Sequence, residues 1–391
     1  MEMTMVLPAS DFVGHRSAPS LEEVAATRPF DRPTLVLDTQ IVARNFHALK
    51  AGLGSALIHY AVKANPAPEV ISRLVAEGCG FDAASRGEIE LCLSQGARPD
   101  HISFGNTIKR ESDIAFAHMA GITLFAADAE EELEKIARAA PGARVYIRVI
   151  VEPNGADWPL TRKFGCAPDR VRRLLSMATD LGLQPVGLSF HVGSQTRFAE
   201  MWKGTLQQVA GIWHEARAAG HDLGLLNIGG GFPAFYGEAM DGLSDYAARV
   251  MELVRSAFGD APQIMAEPGR GMVADAGMIA AEVLLVSRKS DTDLHRWVYL
   301  DIGRFSGLAE TEGEAIRYQL QTWRDGEDTG PCILAGPSCD SVDVLYERRP
   351  VQLPLGLCAG DRVVIRNCGA YTSTYSSVGF NGFPPLDLMV L

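Results

Sequence analysis

Between about Leu57 and Arg270, short β-rich runs alternate with longer segments of helical periodicity. This alternation is typical of βα units, whose strands build a parallel sheet. Eight such runs predict a closed (β/α)8 TIM barrel, an α/β fold in which functional residues follow the C-terminal ends of the strands. The runs comprise residues 57–62, 80–84, 102–105, 124–127, 144–149, 186–191, 225–228 and 263–267.

The stretches between these runs predict the outer helices of the barrel. They place apolar residues three and four positions apart with charged residues between them, as in residues 68–77, 87–95, 130–139, 170–181 and 246–258.

After Arg270 the pattern changes, and strand-like runs recur without regular helices between them, at residues 280–287, 297–300, 332–335 and 362–366. This predicts a separate, mainly antiparallel β domain, and a chain of 391 residues is long enough for two domains. We expect an N-terminal strand at residues 34–37 to join that domain. The predicted division is an N-terminal segment of the β domain (residues 1–44), a barrel (residues 45–275) and a C-terminal β domain (residues 276–391).

Charge and composition restrict the class of partner. The net charge of −12 argues against nucleic acid, which normally needs a basic face, and weakly favours a small cationic substrate. No apolar run is long enough to cross a bilayer, and the charged stretch before Asp31 is unlike a signal peptide, so we expect a cytoplasmic protein.

Several common catalytic motifs are missing from the sequence. The seven cysteines never adopt CxxC spacing and the nine histidines never adopt HExxH spacing, so we expect no metal site. No GxSxG motif occurs, which leaves serine-hydrolase chemistry without support.

Two features at the predicted strand ends favour pyridoxal phosphate (PLP). Lys63 directly follows the first barrel run, where a partly desolvated amine could serve as a Schiff-base nucleophile, although a single strand-end lysine is usually only solvated. Residues 229–231 are three consecutive glycines, and residues 267–270 (Glu-Pro-Gly-Arg) end the last run. Loops after the seventh and eighth strands are the common phosphate-binding place in such barrels.

His191 and Ser194 end the sixth run and would face the same barrel mouth. Taken alone, His191 could be a structural histidine, and Glu267 could form a plain ion pair with Arg270.

Taken together, these motifs resemble the fold-type III PLP-dependent decarboxylases, which include ornithine, lysine/ornithine and diaminopimelate decarboxylases and share an alanine-racemase-like barrel. The resemblance covers nearly the whole chain. The matching motifs lie at residues 60–65 (YAVKAN), 80–85 (GFDAAS), 163–165 (KFG), 189–194 (SFHVGS), 229–233 (GGGFP), 267–270 (EPGR), 336–340 (GPSCD) and 369–372 (GAYT).

The resemblance implies a role for each matching residue. Lys63 would hold PLP as a Schiff base, Glu267 would keep the pyridine nitrogen protonated, and His191 would stack on the ring. The remaining cofactor-binding residues would be Asp82, Arg148, Ser194, Gly230, Gly231, Gly269, Arg270 and Tyr371.

The family's shared active site implies a homodimer. Cys339 would reach the neighbouring subunit's site and protonate the substrate carbon after carbon dioxide leaves, and Asp340 would meet the distal amine. Lys163 and Asp343 would form a salt bridge across the interface.

The substrate expected from this resemblance is a basic L-amino acid. Residues 303–314 occupy the place of the family's specificity element and are rich in acid, so Glu310 or Glu314 could bind the distal amine, although either could equally be a solvated surface glutamate. We expect decarboxylation of ornithine to putrescine, with possible conversion of lysine to cadaverine, in polyamine biosynthesis. The alternatives are a diaminopimelate decarboxylase, a related PLP barrel racemase, or a catalytically silent regulatory homologue.

Overall fold

The computed structural model describes residues 19–151, 163–259 and 262–391. The described chain begins with helix α1 (Leu21–Thr27), strand β1 (Thr34–Leu37) and helix α2 (Thr39–Leu53). Asp38 caps α2 by accepting a hydrogen bond from the backbone N–H of Gln40, which satisfies one of the unpaired donors at a helix start.

Eight strands of the described chain then close into a parallel barrel in chain order. They are β2 (Leu57–Ala61), β3 (Gly80–Ala83), β4 (Ile102–Phe104), β5 (Leu124–Ala127), β6 (Arg144–Arg148), β7 (Gln184–Ser189), β8 (Leu225–Asn227) and β9 (Gln263–Ala266). The predicted barrel is confirmed, and every predicted strand overlaps the observed one.

Helices pack around the outside of the barrel as the apolar spacing predicted. They are α3 (Pro68–Ala76), α4 (Arg86–Ser94), α5 (Glu111–Met119), α6 (Glu130–Ala139), α7 (Val171–Asp180), α8 (Trp202–Ala218) and α9 (Leu243–Phe258). Barrel closure also depends on close strand approach, because a Cβ added to Gly187 on β7 would lie 1.8 Å from the Leu225 carbonyl oxygen on β8.

A second sheet follows the short helix α10 (Arg270–Val273). Its strands are β10 (Gly277–Ser287), β11 (Arg296–Leu300), β12 (Leu320–Thr322), β13 (Thr329–Ala335), β14 (Val344–Leu345), β15 (Val351–Pro354), β16 (Arg362–Ile365) and β17 (Asp387–Val390). The predicted, mainly antiparallel β domain is confirmed, although two pairs, β1 with β17 and β11 with β13, are parallel.

The N-terminal strand β1 lies in this second sheet, antiparallel to β10. The expected boundary at residues 44 and 45 falls inside α2, which runs on continuously into the barrel. The exact domain limits therefore stay a prediction.

An apolar plug fills the middle of the barrel, formed by Leu124, Ala126, Tyr146, Leu225 and Met265. Leu124 and Leu225 line a cavity at the N-terminal mouth, whereas Tyr146 lines one at the C-terminal mouth. The two ends of the barrel are thus separated, and the chemistry of the predicted strand-end residues is confined to the C-terminal mouth.

Within the described residues, no helix is both long enough and apolar enough to span a bilayer.

Candidate active site

A cavity of about 300 Å³ opens at the C-terminal ends of the barrel strands. Most of the predicted site residues line it, which brings together residues from eight distant segments of the chain. They are Lys63, Asp82, Arg148, His191, Ser194, Gly230, Gly231, Glu267, Gly269, Arg270, Glu310 and Tyr371.

Lys63 lies in a single helical turn directly after β2, and its side chain is exposed to the cavity. The turn is held by two neighbours: the Tyr60 hydroxyl donates to the Asn65 carbonyl oxygen at 3.0 Å, and the Asn65 amide donates to the Gly369 carbonyl oxygen at 2.8 Å. Burial lowers the pKa of the Lys63 ammonium, but Tyr371, Asp82 and Glu267 oppose it, and the pKa is raised overall. The resting amine is therefore protonated, and its reaction as a nucleophile requires a proton to leave.

The carboxylate of Glu267 is held by hydrogen bonds from residues of two other strands, β8 and β6. Its Oε1 accepts from the Asn227 amide at 2.5 Å and from the Tyr146 hydroxyl at 3.4 Å. Burial, followed by the nearby Asp82 carboxylate, raises the pKa of Glu267 to about 7. This group can therefore hold or give up a proton near neutral pH.

Asp82 is the second buried carboxylate of the cavity. Burial raises its pKa, while Lys63 and Arg148 lower it. Its Oδ1 is buried without a hydrogen-bond partner among the described residues, and it lies 1.8 Å from where a Cβ on Gly105 would stand. Glycine at position 105 thus makes room for this carboxylate.

The imidazole of His191 is neutral at the barrel mouth. Its Nδ1 accepts a hydrogen bond from the Gly230 N–H at 3.1 Å, so that nitrogen carries no proton. Burial, together with Arg148 and Lys63, lowers the pKa of His191 to about 3. A neutral ring fixed through one nitrogen is suited to stacking rather than to acid catalysis.

The three glycines after β8 form a tight backbone cradle beside His191. Gly229 and Gly231 have φ angles of 69° and 101°, which favour glycine. A Cβ on Gly229 would lie 2.3 Å from the Phe190 carbonyl oxygen, and one on Gly231 would lie 2.7 Å from the Gly193 carbonyl oxygen. The backbone conformation and the close approach of these carbonyl oxygens therefore both favour glycine at positions 229 and 231.

Arg270 and Glu310 form a buried pair at the cavity wall, with 4% and 6% of their side chains exposed. The two terminal guanidinium nitrogens donate to the two Glu310 oxygens at 2.8 and 2.6 Å, and one of them also donates to the Tyr236 hydroxyl at 3.0 Å. The Nε–H of Arg270 is buried and has no partner among the described residues. The edge of the guanidinium that contains Nε is therefore the one left for an anion.

Glu314 lies outside this cavity, contrary to the expectation that it could meet a substrate amine. Its carboxylate accepts from the side chains of Arg317 at 2.8 Å and Arg349 at 3.1 Å and from the Arg348 backbone N–H at 2.6 Å. These bonds occupy both of its oxygens and join the acidic segment to the loop after β14.

Cys339 and Asp340 do not line the barrel cavity of their own chain. Cys339 is exposed, and its backbone N–H donates to the Asn381 side chain at 3.0 Å. Asp343 is buried, and it accepts hydrogen bonds from the Arg304 N–H and from the Ser338 hydroxyl at 2.8 and 2.7 Å. Within one subunit Asp343 thus fixes the loop that presents Cys339.

Some cavity residues are absent from the sequence-based prediction. Phe164 lies between two cations, with the Arg148 guanidinium 5.1 Å and the Lys163 ammonium 4.9 Å from its ring centroid. Tyr146, which lines the cavity, and Asn227, which is buried behind it, contact Glu267 as described above. Tyr146 lies in the middle of β6 and Asn227 ends β8. Neither position was a signal in the sequence, because asparagine at a strand end is also an ordinary turn residue.

Comparisons with known proteins agree with this geometry. Residues 39–274 match the family model described as "Pyridoxal-dependent decarboxylase, pyridoxal binding domain". The chain is 33% identical to a lysine/ornithine decarboxylase of Selenomonas ruminantium, over 90% of this chain and 87% of that protein. It is 31% identical to antizyme inhibitor 2 of Xenopus laevis, over 93% of this chain and 81% of that protein.

A solved structure also matches nearly the whole chain. The lysine/ornithine decarboxylase of Vibrio vulnificus, complexed with cadaverine, superimposes with a TM-score of 0.84 at 32% identity, covering 96% of this chain and all of that one. The chain thus belongs to the fold-type III decarboxylases that depend on pyridoxal phosphate.

Proposed function

We propose that this decarboxylase acts on basic L-amino acids, converting ornithine to putrescine and, as a second reaction, lysine to cadaverine in polyamine biosynthesis. The observation that carries the proposal is the convergence of Lys63, His191, Glu267 and the glycine cradle in one cavity. Each of these groups has a use in the chemistry of an amino acid bound to PLP.

The residues of the cavity fit the cofactor. The backbone N–H groups of the cradle, the Ser194 hydroxyl and the unpartnered Nε–H of Arg270 suit a phosphate, with Gly269 and Tyr371 beside them. Glu267 suits a pyridine nitrogen, and the neutral His191 suits the face of an aromatic ring. Lys63 is the amine that anchors the cofactor.

When bound, PLP supplies an electron sink for the bond between the substrate's Cα and its carboxylate. The remaining steps depend on the protein's own side chains. Lys63 would hold the cofactor until the substrate amine takes its place, and Glu267 would keep a proton for the ring nitrogen. Asp82 and Arg148 set the charge around Lys63.

We place the substrate's distal amine near Asp340 of the partner subunit. A distal cation calls for an anionic partner, and both acidic candidates of the 303–314 segment are already bound by arginine. Glu310 lines the cavity and adds negative charge to its wall, but its two oxygens face Arg270, whereas Glu314 lies outside the cavity.

A homodimer with shared active sites accounts for the positions of Cys339 and Asp340. Cys339 is exposed and outside its own cavity, so a role in proton delivery to Cα requires a neighbouring subunit. We also propose a salt bridge between Lys163 and Asp343 of the partner subunit. Lys163 would then be a further donor to the Asp343 carboxylate, which already accepts hydrogen bonds within its own chain.

The test of activity is an assay of amine release by the purified protein with PLP. L-ornithine, L-lysine, L-arginine, meso-diaminopimelate and their D-forms are compared, and we expect the highest rate with L-ornithine. An absorbance band of the cofactor near the visible edge should disappear in Lys63→Ala. Cofactor binding without release of any amine would instead support a regulatory role like that implied by the name of the antizyme inhibitor relative.

The shared site is tested by mixing two inactive variants, Lys63→Ala and Cys339→Ala. Half of the dimers formed at random are mixed, and each mixed dimer contains one site with both residues intact, so we expect about a quarter of the wild-type rate to return. If the mixture stays as inactive as its components while both variants fold and dimerise, each site is built from one subunit only.

A further inference from the structure

Asn227 joins the phosphate cradle to the carboxylate of Glu267, and the proposed function gives it no role. Its side chain is fully buried at the end of β8. Its amide nitrogen donates to Glu267 Oε1 at 2.5 Å, and its amide oxygen accepts from the Gly229 N–H at 2.9 Å. The Glu267 N–H donates in turn to the Gly229 carbonyl oxygen at 2.8 Å, which closes a ring of three hydrogen bonds.

The orientation of the Asn227 amide is fixed by this ring. A backbone N–H can only donate, so the amide atom that faces Gly229 must be the oxygen. The NH2 group then faces Glu267, and an NH2 group can only donate. Oε1 of Glu267 must therefore accept, and the Tyr146 hydroxyl donates to the same oxygen.

We propose that Asn227 is a positioning residue that confines the proton of Glu267 to one of its two carboxylate oxygens. Oε1 is kept as a permanent acceptor, so a proton on Glu267 can stand only on Oε2. That oxygen is then the one that exchanges a proton with the ring nitrogen of bound PLP. The inference rests on the proposed function of Glu267 and assigns to Asn227 the control of where its proton lies.

The amide of asparagine is a permanent hydrogen-bond donor to Glu267, whereas an ionised aspartate can only accept. An aspartate at position 227 would set two carboxylates at hydrogen-bonding distance, and such a pair must share a proton to coexist. The shared proton would occupy Oε1 or its partner, and Glu267 would lose its fixed acceptor side. The variants Asn227→Asp and Asn227→Leu thus disturb the same contact in two ways, one by charge and one by loss of the donor.

The experiment compares the binding of PLP with that of 1-deaza-PLP, in which a C–H replaces the ring nitrogen, to the apoprotein. The ratio of the two dissociation constants measures the interaction between Glu267 and the ring nitrogen, and it needs no turnover. We expect the wild type to prefer PLP, and we expect each Asn227 variant to lose about ten- to a hundredfold of that preference, the usual net contribution of a hydrogen bond to a charged group. The ¹⁵N chemical shift of ring-labelled PLP should show a protonated nitrogen in the wild type and a partly deprotonated one in the variants.

Asn45→Leu is the matched control. Asn45 is also a buried asparagine that donates to a carboxylate, Asp275 Oδ1 at 2.5 Å, but neither residue lines the cavity. Its replacement should lower the thermal unfolding midpoint of the apoprotein and leave the ligand preference at the wild-type value.

Two results would overturn the inference, and they differ in what they overturn. An unchanged preference in both Asn227 variants, even where both ligands bind equally more weakly, would make Asn227 a structural support of the cradle only. A wild type that binds the two ligands equally would remove the role of Glu267 toward the ring and, with it, the role of Asn227.

Discussion

Replacing Glu267 by glutamine should stabilise the apoprotein at alkaline pH while it weakens the cofactor site. The glutamine keeps the size of the side chain and an oxygen that can accept the hydrogen bond from Asn227. It removes only the charge that burial makes costly. The change therefore isolates the energetic cost of an ionised carboxylate in this cavity.

The magnitude follows from the pKa of Glu267, which is about 7 in the folded chain against 4.5 for the free side chain. Between these values the folded protein binds more protons than the unfolded chain, so the free energy of unfolding of the wild type falls as the pH rises through that window. The full cost, reached above about pH 7, amounts to about 3 kcal/mol. The glutamine variant lacks this titration and should gain that difference over the wild type.

Urea unfolding of both apoproteins at about pH 5 and about pH 8 measures the effect, followed by the fluorescence of Trp202 and Trp213 in the buried face of α8. We expect nearly equal stabilities at the lower pH and a more stable variant at the higher pH. Equal stabilities at both values would refute the reasoning, because they would mean that the ionised Glu267 is not penalised by burial.

Three further predictions concern the cofactor site. Glu310→Ala should lower the free energy of unfolding by about 3–5 kcal/mol in urea titrations, because the buried Arg270 charge loses its partner. The double change Glu310→Leu with Arg270→Met should restore most of the lost stability, because it removes both charges. Gly231→Ala should abolish PLP binding in absorbance titrations, because its Cβ would meet the Gly193 carbonyl oxygen at a φ of 101°. Gly211→Ala, in the open middle of α8, should bind PLP normally and should be slightly more stable, by about 0.5–1 kcal/mol.

The barrel was predictable because short apolar strands alternate with helical segments along the chain. Parallel strands buried on both faces read as continuous apolar runs, and the intervening helices have their own period, so each unit is visible in the sequence. In the β domain β10, β11, β13 and β16 were predicted, but β12, β14, β15 and β17 were not. Strands of two to four residues carry little pattern that distinguishes them from loops.

The cavity was predictable where strand-end residues form motifs that resemble those of the family, as with Lys63 and the three glycines. Contacts between distant polar side chains were not. The acid-rich segment offered two equivalent glutamates, and only the structure shows that Glu310 faces Arg270 in the cavity whereas Glu314 is bound by Arg317 and Arg349 outside it. Sequence spacing carries no information on a pair such as Arg270 and Glu310, whose positions in the chain are far apart.

The two raised carboxyl pKa values connect cofactor binding to proton uptake. Burial disfavours the ionised forms of both Asp82 and Glu267. Near neutral pH a fraction of the empty sites therefore already holds the proton that the cofactor's ring nitrogen needs. Above about pH 7 that proton must come from solvent, and the affinity for PLP should fall with pH relative to Glu267→Gln.

Calorimetric binding in buffers of different ionisation enthalpy separates the two sources of protons. The proton lost from Lys63 is common to the wild type and to Glu267→Gln, so the difference between them reports the ring nitrogen alone. We expect the wild type to take up more protons at about pH 8 than at about pH 6, and the variant to show no such change. Equal proton uptake by the two proteins across that range would mean that Glu267 does not supply the ring with its proton.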